Sequence, residues 1–268
     1  MNRHRPRKRF GQHFLHDAGV IQRLVTAIAP RTDDHLVEIG PGEGVLSAPV
    51  LEKAGRLTVI ELDRDLAATL SERLGSPDDL EVVQADVLKV DFAELAAGRR
   101  LRVIGNLPYN ISTPILFHLF ESRADVVDMH FMLQKEVVDR MVAEPGGRQY
   151  GRLSVMAAFH CDMVRLFNVA PGAFRPPPKV DSAVVRLVPK TLTDDDLALL
   201  PTFAEVTRRA FGQRRKTLRN SLKGLLDETQ IEAAGINPGA RAETLGVEQF
   251  RGLALGVEKR KMENGKRG

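Results

Sequence analysis

The stretch His35-Leu36-Val37-Glu38-Ile39-Gly40-Pro41-Gly42-Glu43-Gly44 reads as a short apolar strand running into a glycine-rich turn, with a helix predicted from Val45. Glycines at such a turn let the backbone approach a bound cofactor closely. The spacing is G-x-G-x-G, and position 45, where the dinucleotide fingerprint needs its third glycine, is Val. That departure favours a nucleoside cofactor without a pyrophosphate and counts against a nicotinamide-dependent oxidoreductase. Two further apolar runs each lead into an acid. Leu57-Thr58-Val59-Ile60 precedes Glu61, suited to pairing with both hydroxyls of a ribose. Leu80-Glu81-Val82-Val83-Gln84-Ala85 precedes Asp86, placed to accept from an adenine amine. Strands continue at Leu101–Ile104 and Asp128–Leu133. This strand–helix alternation predicts an α/β fold with a doubly wound, mostly parallel sheet.

Gly105-Asn106-Leu107-Pro108-Tyr109-Asn110 follows the fourth strand, and a helix is predicted just beyond it, capped by Ser112 or Thr113 with Pro114 in its first turn. Open α/β sheets place ligands at the carboxyl ends of their strands, and in a doubly wound sheet the first and fourth strands flank the switch point. Asn-x-Pro-Tyr taken alone also reads as a turn. Its residues suit methylation of an exocyclic amine on a planar base, a nitrogen whose lone pair is delocalised into the ring. Such a nitrogen needs acceptors that favour its tetrahedral form. The Asn106 side-chain oxygen and the Leu107 carbonyl are candidates, stiffened by Pro108, with Tyr109 as a face for the base.

Two late strands, Met163–Val169 and Ser182–Val188, predict a closing antiparallel hairpin. Between them, Phe174-Arg175-Pro176-Pro177-Pro178-Lys179-Val180-Asp181-Ser182 is a proline-stiffened loop. It is expected either to present Phe174 as a second stacking face opposite Tyr109 or to tuck that ring into the core. Pro145-Gly146-Gly147 and Gly151 predict a flexible loop near the site, suited to touching substrate. From Lys190 the pattern turns helical, over about Asp194–Phe211, Thr217–Leu226 and Ala242–Leu255. Two domains are therefore expected, 1–190 and a small all-α domain over 191–268.

Charge follows the same division. Net charge is +4 over 268 residues. Residues 1–10 hold Arg3, Arg5, Arg7, Lys8 and Arg9 with no acid, and residues 201–268 hold 14 Lys/Arg against 8 Asp/Glu, so the chain between is net acidic. Basic ends around an acidic middle fit a polyanion-binding protein with a separate catalytic core, although terminal basic runs also serve as solubilising tails. Arg214, Arg215, Lys216 and Arg219 form the densest basic run, suited to phosphate contact. Cys161 is the only cysteine, which rules out an intrachain disulfide and a cysteine-based metal site. His13 and His16 lack a third ligand at sensible spacing, so no metal is expected. No apolar run approaches a membrane span, and the basic N-terminus leads into no apolar segment of the kind a signal peptide carries. A reducing, cytoplasmic setting is expected.

With these residues laid out, the chain resembles the ribosomal RNA adenine dimethyltransferases, on the bacterial small-subunit branch. The match runs through Gly11-Gln12-His13-Phe14-Leu15, Glu38 to Gly42, Glu61, Asp86, Asn106 to Tyr109, Phe174 to Ser182 and Arg214 to Asn220. The resemblance implies a Rossmann-like class I methyltransferase domain and S-adenosylmethionine as methyl donor. It implies that His13 and Leu15 lie against the cofactor, that Gly40 and Gly42 pack under its amino-acid and sulfonium portion, that Glu61 takes its ribose and Asp86 its adenine, and that Asn106 binds at the point of transfer. Position 13 is Asn in many relatives. Asn106, Leu107, Pro108, Tyr109 and Phe174 are implied as the catalytic set, the target adenine being flipped between Tyr109 and Phe174. The implied partner is 16S rRNA in the small ribosomal subunit or its precursor, held by Arg7, Lys8, Arg9, Lys179, Arg214, Arg215, Lys216 and Arg219, with the protein acting as a monomer. Two other readings share the fold: the macrolide-resistance branch, which modifies a large-subunit adenine, and a non-catalytic ribosome-assembly or transcription factor. Gly11-Gln12 and the run Arg215 to Asn220 favour the small-subunit branch, and an intact Asn106–Tyr109 favours catalysis.

Overall fold

The protein is described by a computed structural model over residues 13–213 and 215–265. It divides into two compact units. The first comprises the described residues up to Val138 together with Asp162–Pro189, and the second Asp139–Cys161 with the described residues from Lys190 onward.

The first unit carries nine strands: β1 Phe14–Leu15, β2 His35–Ile39, β3 Leu57–Glu61, β4 Leu80–Gln84, β5 Leu101–Asn106, β6 Val126–Gln134, β7 Cys161–Val169, β8 Phe174–Arg175 and β9 Ser182–Pro189. Its helices are α1 Ala18–Ile28, α2 Ser47–Ala54, α3 Arg64–Arg73, α4 Phe92–Ala96 and α5 Ser112–Glu121. Seven strands form one sheet in the order β4-β3-β2-β5-β6-β9-β7, and β1 pairs antiparallel with β8 in a two-stranded sheet. The pairs β2–β3, β3–β4, β2–β5 and β5–β6 are parallel, and β9 runs antiparallel to β6. The chain builds outward from β2 to β4, then crosses back to β5, so the switch point lies between β2 and β5.

These elements follow from local chemistry. The strands are rich in Val, Ile and Leu because both sheet faces are covered, and Val37, Val59, Val103 and Ile104 are fully buried. Helix α1 starts where Asp17 accepts the Val20 N–H at 2.9 Å, and it ends before Pro30, with Ala29 in the left-handed region. The turn after β2 delays α2 to Ser47, two residues beyond the expected start. At the ends of strands opposite the switch-point turns, Arg102 donates to Asp34 at 2.6 Å and to Asp128 at 2.9 Å, joining β2, β5 and β6. Burial alone would raise the Asp128 carboxyl. The Arg102 hydrogen bond and the charges around it outweigh that and hold it below the ordinary range.

The second unit is helical: α6 Lys135–Met141, which the chain follows out of the first unit, α7 Arg152–His160, α8 Asp194–Ala210, α9 Leu218–Ser221, α10 Glu228–Ala233 and α11 Val247–Gly265. Its core is aromatic, with Phe159 and Phe203 rings 4.2 Å apart and Phe211 stacked on Phe250 at 5.6 Å. Helix α8 opens on a capping box, Thr193 with Asp196. Residues 139–161 join this unit, unlike the expected boundary at 190. The reason is in the contacts: Gly146 N–H donates to Glu243 O and the Tyr150 hydroxyl to Leu245 O, both at 2.7 Å. The loop around Gly146, expected to be flexible and near the site, is thus tied to the helical unit by its own backbone. Among the described residues, no helix is long and apolar enough to cross a membrane.

Candidate active site

A cleft opens in the first unit where β2, β3, β4 and β5 end, walled by the turns that follow them and by residues 13–15. The turn after β2 forms its floor. Gly40 and Gly42 have φ of 67° and 57°, a region that costs any residue with a side chain. A Cβ on Gly42 would sit 3.1 Å from the Phe14 ring, and one on Gly40 would lie 3.9 Å from the Asn106 carbonyl oxygen. The glycine turn and the Asn-Leu-Pro-Tyr segment therefore meet across the switch point.

Glu61 closes β3 and is buried. Its two carboxylate oxygens accept from the Gly42 N–H at 3.2 Å and the Asp63 N–H at 2.8 Å. These bonds hold the carboxylate on the cleft wall, while burial pushes its pKa up against them. A carboxylate offers further lone pairs, so a ligand's hydroxyl hydrogens can still be accepted. Asp86 follows β4, lines the cleft, and accepts the Leu88 N–H at 3.1 Å through one oxygen. Leu62 stands on the same wall at 46% exposure, an apolar surface beside the acid of β3 as Val87 is beside Asp86. Those side chains suit the faces of a planar base, and the acids its polar edge.

At the end of β5, the Asn106 side-chain amide donates through Nδ2 to the His13 carbonyl at 3.1 Å. Only the NH₂ end can bond a carbonyl, so the orientation is fixed and Oδ1 remains as the acceptor. The Leu107 N–H bonds to Met132 O at 3.1 Å, anchoring the peptide ahead of Pro108. Tyr109 packs against the His13 ring, centroids 5.5 Å apart at 31°, and its hydroxyl lies 2.5 Å from Ser182 Oγ. His13 Nδ1–H donates to the Pro176 carbonyl at 2.7 Å. His13, Leu15, Gly40, Gly42, Glu61, Asp86, Asn106, Leu107, Pro108 and Tyr109 all line this one cleft.

Phe174 does not join them. It pairs with Leu15 in the two-stranded sheet, and its ring is 1% exposed within a cluster that includes Leu24, Ile28 and Met132. The stacking role expected for it is corrected on that ground: the ring serves the core, the other of the two expectations, because β8 turns its side chain inward.

Glu38 was not singled out for the site from sequence. It lines the cleft beneath the glycine turn at 2% exposure, accepting the Ser47 hydroxyl at 2.6 Å. Burial pushes its carboxyl up to about 7, against the pull of Ser47 and with a further push from Glu61. A glutamate inside an apolar strand was the available signal. Leu62 had one too, as an apolar residue directly after an acid at a strand end.

Of the basic residues, Lys179 is exposed on the loop of the first unit, and Arg215, Lys216 and Arg219 are exposed in the second. Arg219 lies 3.8 Å from the Glu228 carboxylate, and the run is held through Leu218 N–H to Ala240 O at 2.9 Å. Arg7, Lys8, Arg9 and Arg214, like Gly11 and Gln12, lie outside the described residues. Among the described residues, no cluster of three or more His, Cys, Asp or Glu is arranged to hold a metal ion.

A mostly parallel sheet with this strand order and an Asn-Leu-Pro-Tyr segment at its switch point is that of a Rossmann-like methyltransferase. Comparison with solved structures agrees. The chain superposes on a dimethyladenosine transferase from Plasmodium falciparum with a TM-score of 0.77 at 26% identity, covering 93% of this chain and 98% of that one. It superposes on the 23S rRNA methyltransferase ErmE with a TM-score of 0.71 at 27% identity, covering 91% and 99%. The chain belongs to the ribosomal RNA adenine dimethylase family, whose model matches residues 3–258. Among its relatives, the Ribosomal RNA small subunit methyltransferase A of Methylococcus capsulatus is 57% identical over 252 residues, 94% of this chain and 98% of that protein. The protein of the same name from Xanthomonas campestris is 55% identical over 248 residues, 92% and 95% of the two chains.

Proposed function

We propose that this chain dimethylates, at N6, two adjacent adenosines in a hairpin near the 3′ end of 16S rRNA in the small ribosomal subunit or its precursor. It uses S-adenosylmethionine, acts as a cytoplasmic monomer, and contributes to small-subunit biogenesis. The observation that carries the reading is the composition of the cleft. Glu38, Glu43, Glu61, Asp63 and Asp86 line it together with Asn106 and Tyr109, and among the described residues no Lys or Arg does. Such a wall repels a phosphate-bearing cofactor and attracts a cationic one. The glycine cradle, the buried Glu61 and the apolar Leu62 fit the parts of a sulfonium nucleoside. When bound, that cofactor supplies a methyl group activated by a positively charged sulfur.

The chain's own residues supply orientation. Gly40 and Gly42 admit the amino-acid portion, Glu61 accepts from the ribose hydroxyls, and Asp86 accepts from the cofactor's adenine amine. Asn106 Oδ1, freed by the bond from Nδ2 to His13, accepts a hydrogen from the amine of the target adenine, with the Leu107 carbonyl as second acceptor. Those bonds favour the tetrahedral nitrogen that has an available lone pair, and Tyr109 stacks the base. RNA backbone is assigned to the helical unit through Arg214, Arg215, Lys216 and Arg219, with Lys179 and the basic arm Arg7, Lys8 and Arg9 assisting. The small-subunit names carried by relatives above half identity support that target over a large-subunit adenine.

The test is methyl transfer from labelled S-adenosylmethionine to small subunits lacking the modification, beside protein-free large-subunit RNA, with nucleosides identified by mass. Dimethyladenosine in the small subunit alone is expected. Asn106→Ala should lower kcat by at least about 100-fold, the scale on which removal of one preorganised polar group acts, with thermal unfolding nearly unchanged. Transfer confined to large-subunit RNA, or normal turnover by Asn106→Ala, would refute the reading.

A further inference from the structure

The Tyr109 ring is gripped at two points, and both grips lead to the segment between β8 and β9. Its hydroxyl meets Ser182 Oγ at 2.5 Å. Its face meets the His13 ring, which is itself tied to the Pro176 carbonyl. Ser182 is 0% exposed and opens β9, paired in register with Gln134 of β6. A serine hydroxyl in that setting has no access to solvent, and the bond to Tyr109 satisfies it. It adds little apolar burial. It does lock the ring plane of a side chain that lines the cleft, and a tyrosine whose hydroxyl is anchored has lost the freedom to swing about χ1.

We propose that Ser182 is a positioning residue for methyl transfer, acting through Tyr109. Its buried hydroxyl fixes the plane on which the target base stacks, and so the direction of the amine's lone pair. The inference rests on the methyl-transfer reading for its consequence, but the geometric part stands on the protein alone. Phe174 is buried and the Phe14 ring lies against the Gly42 turn, so among the described residues Tyr109 is the aromatic ring beside Asn106 that can take the target base, which makes its orientation matter more.

The experiment is a double-mutant cycle with Ser182→Ala, Tyr109→Phe and the pair. It is read as kcat and KM on unmodified small subunits, with cofactor affinity by calorimetry. Each single variant removes the same bond from one side. Each is expected to lower kcat about tenfold, the pair no further than either alone, and cofactor affinity is expected to stay within about twofold. A second readout is independent of turnover. The chain has two tyrosines and no tryptophan, so in a Tyr150→Phe background the near-ultraviolet circular dichroism of tyrosine reports Tyr109 alone. Ser182→Ala should weaken that band while the melting temperature holds. Additive losses in the cycle, unchanged kcat in Ser182→Ala, or an undiminished band would each overturn the proposal. A wild-type chain that transfers no methyl group to either RNA would sink the functional reading by itself, and the dichroism would still decide whether Ser182 holds the ring.

Discussion

Glu38 is a carboxyl group at the base of a cleft that favours cations, and its burial gives it a measurable signature. In the fold its pKa is raised from 4.5 to about 7. Between those values the folded protein binds a proton that the unfolded chain has released. The stability Glu38 contributes is therefore fully present below about pH 4.5 and lost as pH rises through about 7, an effect of roughly 3 kcal/mol at most. Glu38→Gln retains an acceptor for Ser47 but cannot ionise. Urea unfolding across about pH 5 to 8 should show the variant gaining on the wild type as pH rises. A constant difference would mean that Glu38 is already charged in the folded state. Legibility at this scale depends on whether a role is local. That Gly40, Gly42, Glu61, Asp86 and Asn106 would line one cleft could be read because each stands at a strand end, where backbone conformation and chain position suffice. Phe174 could be read only as one of two alternatives, because its burial is decided by the pairing of β8 with β1, which no local pattern announces. Glu38 was hidden by its company, an acid in an apolar strand resembling an ordinary sheet residue.

At the level of elements, the site depends on how closely β2 and β5 approach at their carboxyl ends. Gly105 sits one residue before Asn106, and a Cβ there would lie 2.5 Å from the Ile39 carbonyl oxygen and 3.3 Å from Leu107 Cδ2. The first neighbour is backbone in the middle of the sheet and has little room to give. Glycine in a strand marks such a close approach. Gly105→Ala should cost about 1–3 kcal/mol in denaturant unfolding, the usual range for overpacking, and should weaken S-adenosylmethionine binding by spreading the glycine turn away from Asn106. Unchanged stability and affinity would show that the strands part without consequence. The strands themselves were legible, since apolar runs between turn residues need no tertiary context, and all seven expected strands recur within two residues at each end. The helical end was harder. Leu218–Ser221 is four residues long and Glu228–Ala233 six, and a continuous helix was expected from Thr217 to Leu226. The helix stops at Ser221 with Leu222 as its C-cap, and Gly224, with φ of 90°, lies in the turn that follows.

On the scale of the whole chain, residues 139–161 leave the sheet unit, join the helices, and return as β7. Sequence adjacency pointed to one boundary near 190; contacts more than 80 residues apart, such as Tyr150 with Leu245, created the second crossing. Both units are charged unevenly, and the basic run of the helical unit is a salt-dependence experiment in waiting. Each phosphate neutralised by a cation releases counterions, lowering the slope of log affinity against log salt by about 0.7 to 0.9. Arg215 and Lys216 are exposed with no acid paired to them among the described ion pairs, whereas Arg219 already lies 3.8 Å from Glu228. Replacing Arg215 and Lys216 with Ala should therefore make the slope for small-subunit RNA shallower by about 1.4 to 1.8. Adding Arg219→Ala should cut it by less than a full further step, because part of that charge is spent on Glu228. Cofactor affinity, which the proposed function assigns to the acidic cleft of the other unit, should stay as it was. An unaltered slope in the double variant would place the RNA on another surface and leave the basic run as a solubilising face.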